Sequence, residues 1–228
     1  MAVVVAIVAG QPAVLTVPDG RALPSGPLLE GHRSLQTAVR AWVEASTGRQ
    51  LGYLEQLYTF ADPGRAGLER HVSVSYLGLT AAEDADPGRW VPWYDLFPWE
   101  DARRGRGVLD GEVLPLLGEW AALDASGARR QRVGSLFGQD AASWEPDLVL
   151  PRYETLWEAG LVPESPTDRR REETVPGHEL RWDHRRIAAT AMARLRSKIQ
   201  YRPVVFELMP PTFTLGQLQA VVESLAGR

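Results

Sequence analysis

The side chains that most often bind metals or act as nucleophiles are sparse in this sequence. It contains no cysteine, which excludes disulfides, thiolate nucleophiles and cysteine-based zinc sites. Its four histidines show neither the His-x-His nor the His-Glu-x-x-His spacing of common zinc sites; they are His32, His71, His178 and His184. The pattern does not favour a histidine-based metal site, which leaves carboxylates and basic groups as the carriers of any chemistry.

Basic residues are concentrated towards the end of the chain. The net charge of −4 argues against a protein that binds nucleic acid over its whole surface. From residue 181 to 228, however, eight Arg or Lys face three acids, so this part carries +5 and the remainder −9. Such asymmetry hints at a surface that faces a polyanion, and a solvated helix face is the alternative. The candidates for contact with DNA phosphates are Arg185, Arg186, Arg194, Arg196 and Lys198.

Length and hydropathy describe a chain that can bury a real core. Its 228 residues, 44% of them hydrophobic, suit one large or two small domains. The apolar opening AVVVAIVAG has no basic leader, is too short to span a bilayer and stops at Gly10 and Pro12, which predicts a buried strand. No other segment approaches transmembrane length, and we expect a cytoplasmic protein without a membrane partner.

The first hundred residues predict strands around one helix. A β-hairpin is predicted from Ala2 to Val17, with its turn at Gly10-Gln-Pro12. Ser34 offers an N-cap to a helix that Gly48 ends, because apolar residues recur there at spacings of three and four. Further β-rich runs follow, and the last of them turns after a short strand; they span Leu51 to Ala61, His71 to Leu79 and Arg89 to Glu100.

The rest of the chain predicts helices. The middle, 101–179, mixes polar loops, expected to be mobile, with two amphipathic helices near Glu112 to Leu123 and Arg152 to Ala159. A strong helix capped by Asp183 follows, then a short strand, PVVFELMP, and a last helix from Thr214 to Ala226 with Thr212 or Thr214 as its N-cap. This order predicts an α+β sandwich and not a repeating βαβ barrel.

The segment GPLLEGHRSLQTAVRAWVEASTG, Gly26 to Gly48, resembles the Nudix box, the loop and helix of a superfamily of phosphate-ester hydrolases. The box reads Gly, five residues, Glu, seven residues, then Arg-Glu-apolar-any-Glu-Glu-any-Gly-apolar. Counted back from Gly48, the two glutamates that would bind Mg²⁺ fall on Ala45 and Ser46, and the Arg-Glu pair falls on Ala41-Trp42. On this segment alone, coincidence is the alternative.

The early glutamate of the box falls on Arg33, or on His32 if Gly26 keeps its register, and only Glu44 remains as an acid in the helix. Hydrolysis of a nucleoside diphosphate ester needs a divalent metal held mainly by carboxylates. Alanine, serine and tryptophan cannot replace them. The resemblance therefore implies a helix that keeps its structural role without its catalytic one, and no cofactor or catalytic residue is predicted.

The resemblance continues outside the box. The segments LEQLYTFADPGR, VSVSYLGL, WDHRRI and ARLRSKIQYRPVVFELMPPTFTLGQLQAVVESL follow in the same order as in the Nudix-related transcriptional regulators of NAD metabolism, and FELMPPTFTLGQLQ is the most specific. The match covers most of the chain outside 101–179. It looks like the branch of that family whose box is degenerate and which carries extra sequence before the "DH" helix.

This resemblance implies a Nudix-like α/β/α sandwich with a mixed sheet over residues 1–201, with a helical and loop insertion at about 101–179. Residues 202–228 would begin a winged-helix domain, expected to be incomplete because a helix-turn-helix needs a further helix in the major groove. In such regulators the Nudix-like domain senses ADP-ribose or a related NAD-derived nucleotide, and the winged helix binds operator DNA. A homodimer is expected, since such regulators read two half-sites.

By the same resemblance, ligand groups come from the loop before the helix and from the segments YTFADPGR and HVSVSY. Arg65 is the leading phosphate-binding candidate because a guanidinium binds two phosphate oxygens at once; an ordinary turn arginine is the alternative. Tyr58 and Phe60 can stack on adenine, although alternation along a strand also places such residues in a core. The remaining ligand candidates are His32, Arg33, Ser73 and Tyr76.

Two other functions stay open. The first is an active Nudix hydrolase that cleaves ADP-ribose or a related nucleoside diphosphate derivative with Mg²⁺ bound by acids outside the box. Those acids show no clustering by spacing; they are Glu30, Glu44, Glu55, Asp62, Glu100, Asp101, Glu172 and Glu173. The second is a protein-interaction module. The aromatic side chains of segment 90–99 would face a ligand, a partner subunit or the core. So many aromatic residues in one short segment are typical of core packing.

Overall fold

The computed structural model describes residues 1–47, 50–61, 72–81, 89–138 and 144–228, and for residues 46 and 47 the backbone alone. Within these ranges one sheet is formed by β1 (Ala2–Val8), β2 (Gln11–Leu15), β3 (Tyr53–Phe60), β4 (Ser73–Leu79) and β5 (Trp90–Pro92). The strands lie in the order β3-β4-β1-β2-β5; β1 runs parallel to β4, and the other neighbours are antiparallel. The predicted mixed sheet is confirmed.

The central strand β1 is buried on both faces. Val3 and Val5 belong to one apolar cluster, and Ala2, Val4 and Ala6 belong to the other. Helix α1 (Leu35–Thr47) covers the second face with Val39 and Val43, while the remaining helices cover the first. Because successive side chains of a strand point to opposite faces, this alternation builds the predicted α/β/α sandwich.

The remaining helices are α2 (Trp93–Leu96), α3 (Leu114–Ala122), α4 (Ala128–Phe137), α5 (Val149–Glu158), α6 (His184–Lys198) and α7 (Leu215–Ala226). Shorter helical turns occupy Pro98–Glu100, Leu109–Val113 and Val204–Leu208. The strand predicted for PVVFELMP is therefore wrong: Val204, Val205 and Leu208 reach the core from one 3-10 turn. A short apolar run does not distinguish these two conformations.

The insertion is built into the core of the protein. Leu117, Tyr153, Leu156 and Val162 are at most 1% exposed and belong to the same cluster as β1. Its long loop, expected to be mobile, hydrogen-bonds to the body, for example from the His178 N–H to Asp95 O at 2.7 Å. The aromatic segment 90–99 also packs inward, with Trp90, Trp93, Tyr94 and Trp99 buried.

Helix α7 joins this body by its C-terminal end. Thr214 and Gln217 form a capping box at its start, so Thr214 and not Thr212 is the N-cap. At its end Leu225 is fully buried, and the Tyr94 hydroxyl donates to Ser224 O at 2.5 Å. The domain boundary at residue 201 stays a prediction. Every helix in the described ranges is too short or too polar to pass through a bilayer.

Candidate functional site

The loop before α1 is held by local hydrogen bonds that the sequence predicted in part. The Ser34 Oγ accepts the N–H of Thr37 at 3.1 Å, which confirms Ser34 as the N-cap. One turn earlier, Nδ1 of His32 accepts the N–H of Leu29 at 3.1 Å. Arg33, which lies between His32 and Ser34 in the sequence, is exposed. The loop thus presents one ring and one guanidinium beside the start of a helix.

Trp42 occupies the place where the box would carry a glutamate. Its indole packs against Gly26, where a Cβ would come within 2.9 Å of the ring, and against His32, with ring centroids 6.3 Å apart. Ala41 and Ala45 are exposed. The side chain of Ser46, and Gly48, lie outside the described residues. An indole and two methyl groups offer no oxygen to a metal ion, so these positions do not fit Mg²⁺.

Acids elsewhere in the part of the chain that the structure describes do not supply the missing ligands. The described ranges hold no group of three or more His, Asp and Glu side chains close enough to bind a metal. Glu44 accepts a hydrogen bond from Gln50, Asp101 pairs with Arg103, and Glu100 is buried between arginines. Asp62 lies outside the described residues. The donor set described does not fit the divalent ion that a Nudix hydrolase requires.

A second surface lies between β3 and α6; we call it the β3–α6 surface and define it by Tyr53, Glu55, Tyr58, Phe60, Arg186, Arg194 and Lys198. Tyr58 is 61% exposed. Its ring and the buried Phe60 ring pack edge to face, with their centroids 5.3 Å apart. The guanidinium of Arg186 lies 5.0 Å from the centre of Phe60 and pairs with Glu154. Residues predicted for two different sites, ligand and DNA, therefore meet on one surface.

Glu55 organises the other end of the β3–α6 surface. It pairs with Lys198, accepts a hydrogen bond from the Tyr53 hydroxyl and lies 3.7 Å from Arg194. Burial raises the pKa of the Glu55 carboxyl, but the hydrogen bonds from Lys198 and Tyr53 outweigh it and hold that pKa below its ordinary value. The same contacts raise the pKa of Lys198 against the effect of burial. Both groups are therefore charged at neutral pH.

The predicted ligand residues do not converge on one pocket. Tyr76 is 3% exposed and packs under α1, whereas Phe60 belongs to the cluster on the other face of the sheet. Ser73 pairs with Phe60 across β4 and β3 and is half-buried. Arg65 lies outside the described residues. Tyr76 therefore has a core environment, and the exposed candidates are Arg33, beside a half-buried His32, and Tyr58.

The basic residues of α6 mostly point inward. Arg185 is fully buried, donates from Nε to Leu96 O at 2.9 Å and pairs with Glu164 at 3.3 Å. Lys198 is 8% exposed, and Arg194, with 44% of its side chain exposed, is the most accessible of the five DNA candidates. Asp183 stands at the start of α6 without a capping hydrogen bond and faces Arg186 instead. The interpretation of α6 as a solvated basic face is wrong for Arg185, Arg196 and Lys198.

Sequence reasoning missed the buried charge cluster around Glu100. Its carboxylate accepts hydrogen bonds from Arg152 at 3.0 Å and Arg196 at 2.6 Å, and all three side chains are at most 1% exposed. Arg152 also lies over the ring of Trp144 at 3.4 Å. The partners are 52 and 96 residues from Glu100, so no local spacing indicates them.

Comparison with known proteins shows that this architecture is similar to that of a transcriptional regulator. No protein-family model matches the chain. Over 49 residues, 22% of the chain, it is 41% identical to the ADPR responsive transcriptional repressor NtrR of Acinetobacter baylyi, and this stretch spans 20% of that repressor. The crystal structure of Shewanella oneidensis NrtR matches 98% of the chain and 75% of its own, with a TM-score of 0.57 and 19% identity. The crystal structure of Shewanella oneidensis NrtR complexed with a 27mer DNA covers 98% of this chain and 73% of the NrtR chain, with a TM-score of 0.56 and 19% identity.

These matches confirm the fold predicted from the sequence. The chain folds as NrtR does over nearly its whole length, including the insertion, whereas the sequence match to the curated repressor is short. The chain thus shares the architecture of NrtR.

Proposed function

We propose that the chain is the effector-sensing part of a transcriptional regulator of NAD biosynthesis, and that it binds ADP-ribose or a related NAD-derived nucleotide. The observation that carries the proposal is the match to NrtR over 98% of the chain. The 49-residue match to a repressor named for its response to ADPR supports the choice of effector. The protein would act in the cytoplasm.

Binding without hydrolysis is part of the same proposal. It is supported by Trp42, Ala41 and Ala45 at positions where the box carries metal ligands or their neighbours. The engagement of Glu55 with Lys198 and of Glu100 with two arginines supports it further, because a carboxylate held by a cation is a poor candidate for a metal ligand. Without a metal, a pyrophosphate ester bound here would keep its bonds.

Two sets of exposed or half-buried side chains can contact the effector. On the α1 side, His32 and Arg33 would replace a metal-bridged phosphate contact by a direct one, since a guanidinium forks onto phosphate oxygens. On the β3–α6 surface, Tyr58 offers a ring for a base and Arg194 a cation beside it. The two sets make different predictions for mutants, and one titration series separates them.

Operator DNA and a second copy of the chain are the partners of the proposed regulator. The crystal structure of Shewanella oneidensis NrtR complexed with a 27mer DNA supports DNA as a partner of this fold. Effector binding would favour one placement of the DNA-reading parts over another, and the coupling would be reciprocal, so that DNA changes effector affinity by the same factor.

Isothermal titration of the whole chain with ADP-ribose, with and without Mg²⁺, tests the proposal when the same mixtures are analysed for AMP. We expect binding that does not depend on Mg²⁺ and no AMP. Release of AMP that requires Mg²⁺ would show an active hydrolase, and absence of binding would contradict the effector assignment. Arg33→Ala and Tyr58→Ala identify the contact set, and Arg202→Ala, an exposed arginine outside both sets, is the control.

A further inference from the structure

A basic hollow lies on the insertion, away from every residue assigned above. It encloses about 450 Å³ and is lined by Trp120, Arg129, Glu158, Ala159, Arg169 and Arg171; we call it the arginine hollow. Arg129 comes from the first turn of α4, whereas Arg169 and Arg171 belong to a turn that follows α5. Two segments about 40 residues apart thus bring three guanidinium groups to one depression.

The turn that carries two of these arginines is fixed to the end of α5. The N–H groups of Arg169 and Arg170 both donate to Pro166 O at 2.9 Å, and that of Arg171 donates to Gly160 O at 2.9 Å. Gly160 has φ +76°, and a side chain there would collide with the carbonyl of Arg169. The backbone under the guanidinium groups is therefore held in place before any ligand arrives, which lowers the entropic cost of binding.

The balance of charge inside the hollow is positive. Its one acid, Glu158, already pairs with Arg132 at 2.6 Å, and Arg132 is not part of the lining. Arg129 lies over the ring of Trp120 at 4.5 Å. Arg171 reaches Glu119 only at 3.4 Å, and the side chain of Glu119 is 69% exposed. In the described ranges, Arg169 makes no side-chain hydrogen bond or ion pair.

The chemistry of the lining selects the class of ligand. Guanidinium groups bind phosphate oxygens two at a time, and several of them around one hollow suit a multiply charged anion. A volume of about 450 Å³ falls within the range of small-molecule sites. All three cations line the same hollow, whose volume suits a compact ligand better than a nucleic-acid backbone. Arg129 already covers the ring of Trp120, so this ring is not free to stack on a nucleotide base.

We propose that the arginine hollow binds the pyrophosphate group of a small phosphorylated molecule, at a site separate from the effector contacts. It shares no residue with the loop before α1 or with the β3–α6 surface. The site goes beyond the proposed function and does not depend on it, since pyrophosphate alone is a sufficient probe.

The test is isothermal titration of the whole chain with inorganic pyrophosphate and with orthophosphate. We expect pyrophosphate to bind more tightly and Arg169→Ala to weaken it about tenfold, the effect of losing one charge-assisted contact. Arg130→Ala is the matched control: this arginine follows Arg129 on α4, is exposed and does not line the hollow. It should leave affinity within about twofold of the wild type. Far-UV circular dichroism checks that both variants fold.

Three results would overturn the proposal. No binding of pyrophosphate at millimolar concentration is the first. Equal weakening by Arg169→Ala and Arg130→Ala is the second, because it would indicate diffuse surface charge. The third is binding of a random-sequence DNA duplex that Arg169→Ala abolishes while pyrophosphate does not bind, which would make the hollow a backbone contact. Tyr58→Ala, which removes a ring proposed to contact the base of the effector, should not change pyrophosphate affinity, so failure here is distinguishable from failure of the effector proposal.

Discussion

Arg196 donates a hydrogen bond from Nη1 to Oε2 of Glu100 across 2.6 Å, with neither side chain more than 1% exposed. Arg152 donates to the same carboxylate at 3.0 Å, and Nε of Arg196 donates to Leu225 O at the end of α7. A single buried charge thus connects α5, α6 and α7.

Replacement of Glu100 by glutamine should lower the free energy of unfolding by about 3–5 kcal/mol, because it leaves two buried guanidinium groups without a counter-charge. Urea denaturation followed by circular dichroism measures it. The exposed Glu172, replaced in the same way, should change that free energy by at most about 0.5 kcal/mol. Equal effects of the two substitutions would mean that the buried cluster is not important for stability.

Gly26→Ala should destabilise the protein, because the new Cβ would press within 2.9 Å of the Trp42 ring. Overpacking of this kind costs about 1–3 kcal/mol. Gly31→Ala, in the same loop, meets nothing within 4 Å and should be nearly neutral. The midpoint of thermal unfolding separates the two, and Gly26→Ala combined with Trp42→Leu should recover part of the loss.

Arg185→Ala and Arg194→Ala should differ in stability although both residues belong to the basic stretch of α6. Removal of Arg185 leaves Glu164 nearly buried and unpaired and should cost about 3–5 kcal/mol. Arg194 is half-exposed and lies 3.7 Å from Glu55, so its loss should cost at most about 1 kcal/mol. Urea denaturation of both variants measures the difference, and similar midpoints would contradict the buried role of Arg185.

Stability should fall as the pH is lowered through the range in which His184 is neutral only in the folded state. Burial, with the positive charges of the N-terminus and Arg181, lowers the pKa of His184 from 6.5 to about 4. The unfolded chain therefore binds more protons between about pH 6.5 and pH 4, and the folded state loses about 3 kcal/mol across that window.

Urea denaturation at pH 7 and pH 4.5 checks this slope. His184→Asn, whose amide oxygen can still accept the N–H of Leu23, should show a flatter pH dependence than the wild type. His178→Asn, at an exposed histidine, should keep the wild-type slope. A wild-type slope in His184→Asn would assign the pH dependence to other groups.

The parts of the fold that sequence predicted are those with local causes. The capping residues Ser34 and Thr214 lie within three residues of the N–H groups that they accept, and the alternation of β1 is visible in its own seven residues. Helix α4 was missed because its residues, ARRQRVGSLF, show no apolar repeat and only Phe137 is buried.

The parts that it missed depend on contacts between distant residues. A run of arginines on a helix is usually solvated. Nothing in the sequence near Arg185 indicates its ion pair with Glu164. Nothing near Lys198 indicates its ion pair with Glu55. Of the candidate effector residues, the separation of Tyr76 from Phe60 follows from strand pairing and from the face that each takes, which sequence alone does not give. The arginine hollow unites α4 and the turn after α5 in the same way.

Because β1 pairs with β4, which lies far along the chain, one edge of β1 stays unpaired while the residues between them are synthesised. The ribosome makes the apolar strand β1 before β2 and β4; β2 can cover one edge of β1 at once, but the other edge pairs with Tyr76 to Leu79, which emerge some 70 residues later. In that interval a newly made chain carries an uncovered, valine-rich edge of the kind that promotes aggregation. Slower growth or added chaperone during expression should therefore raise the yield of folded protein more than changes at its surface.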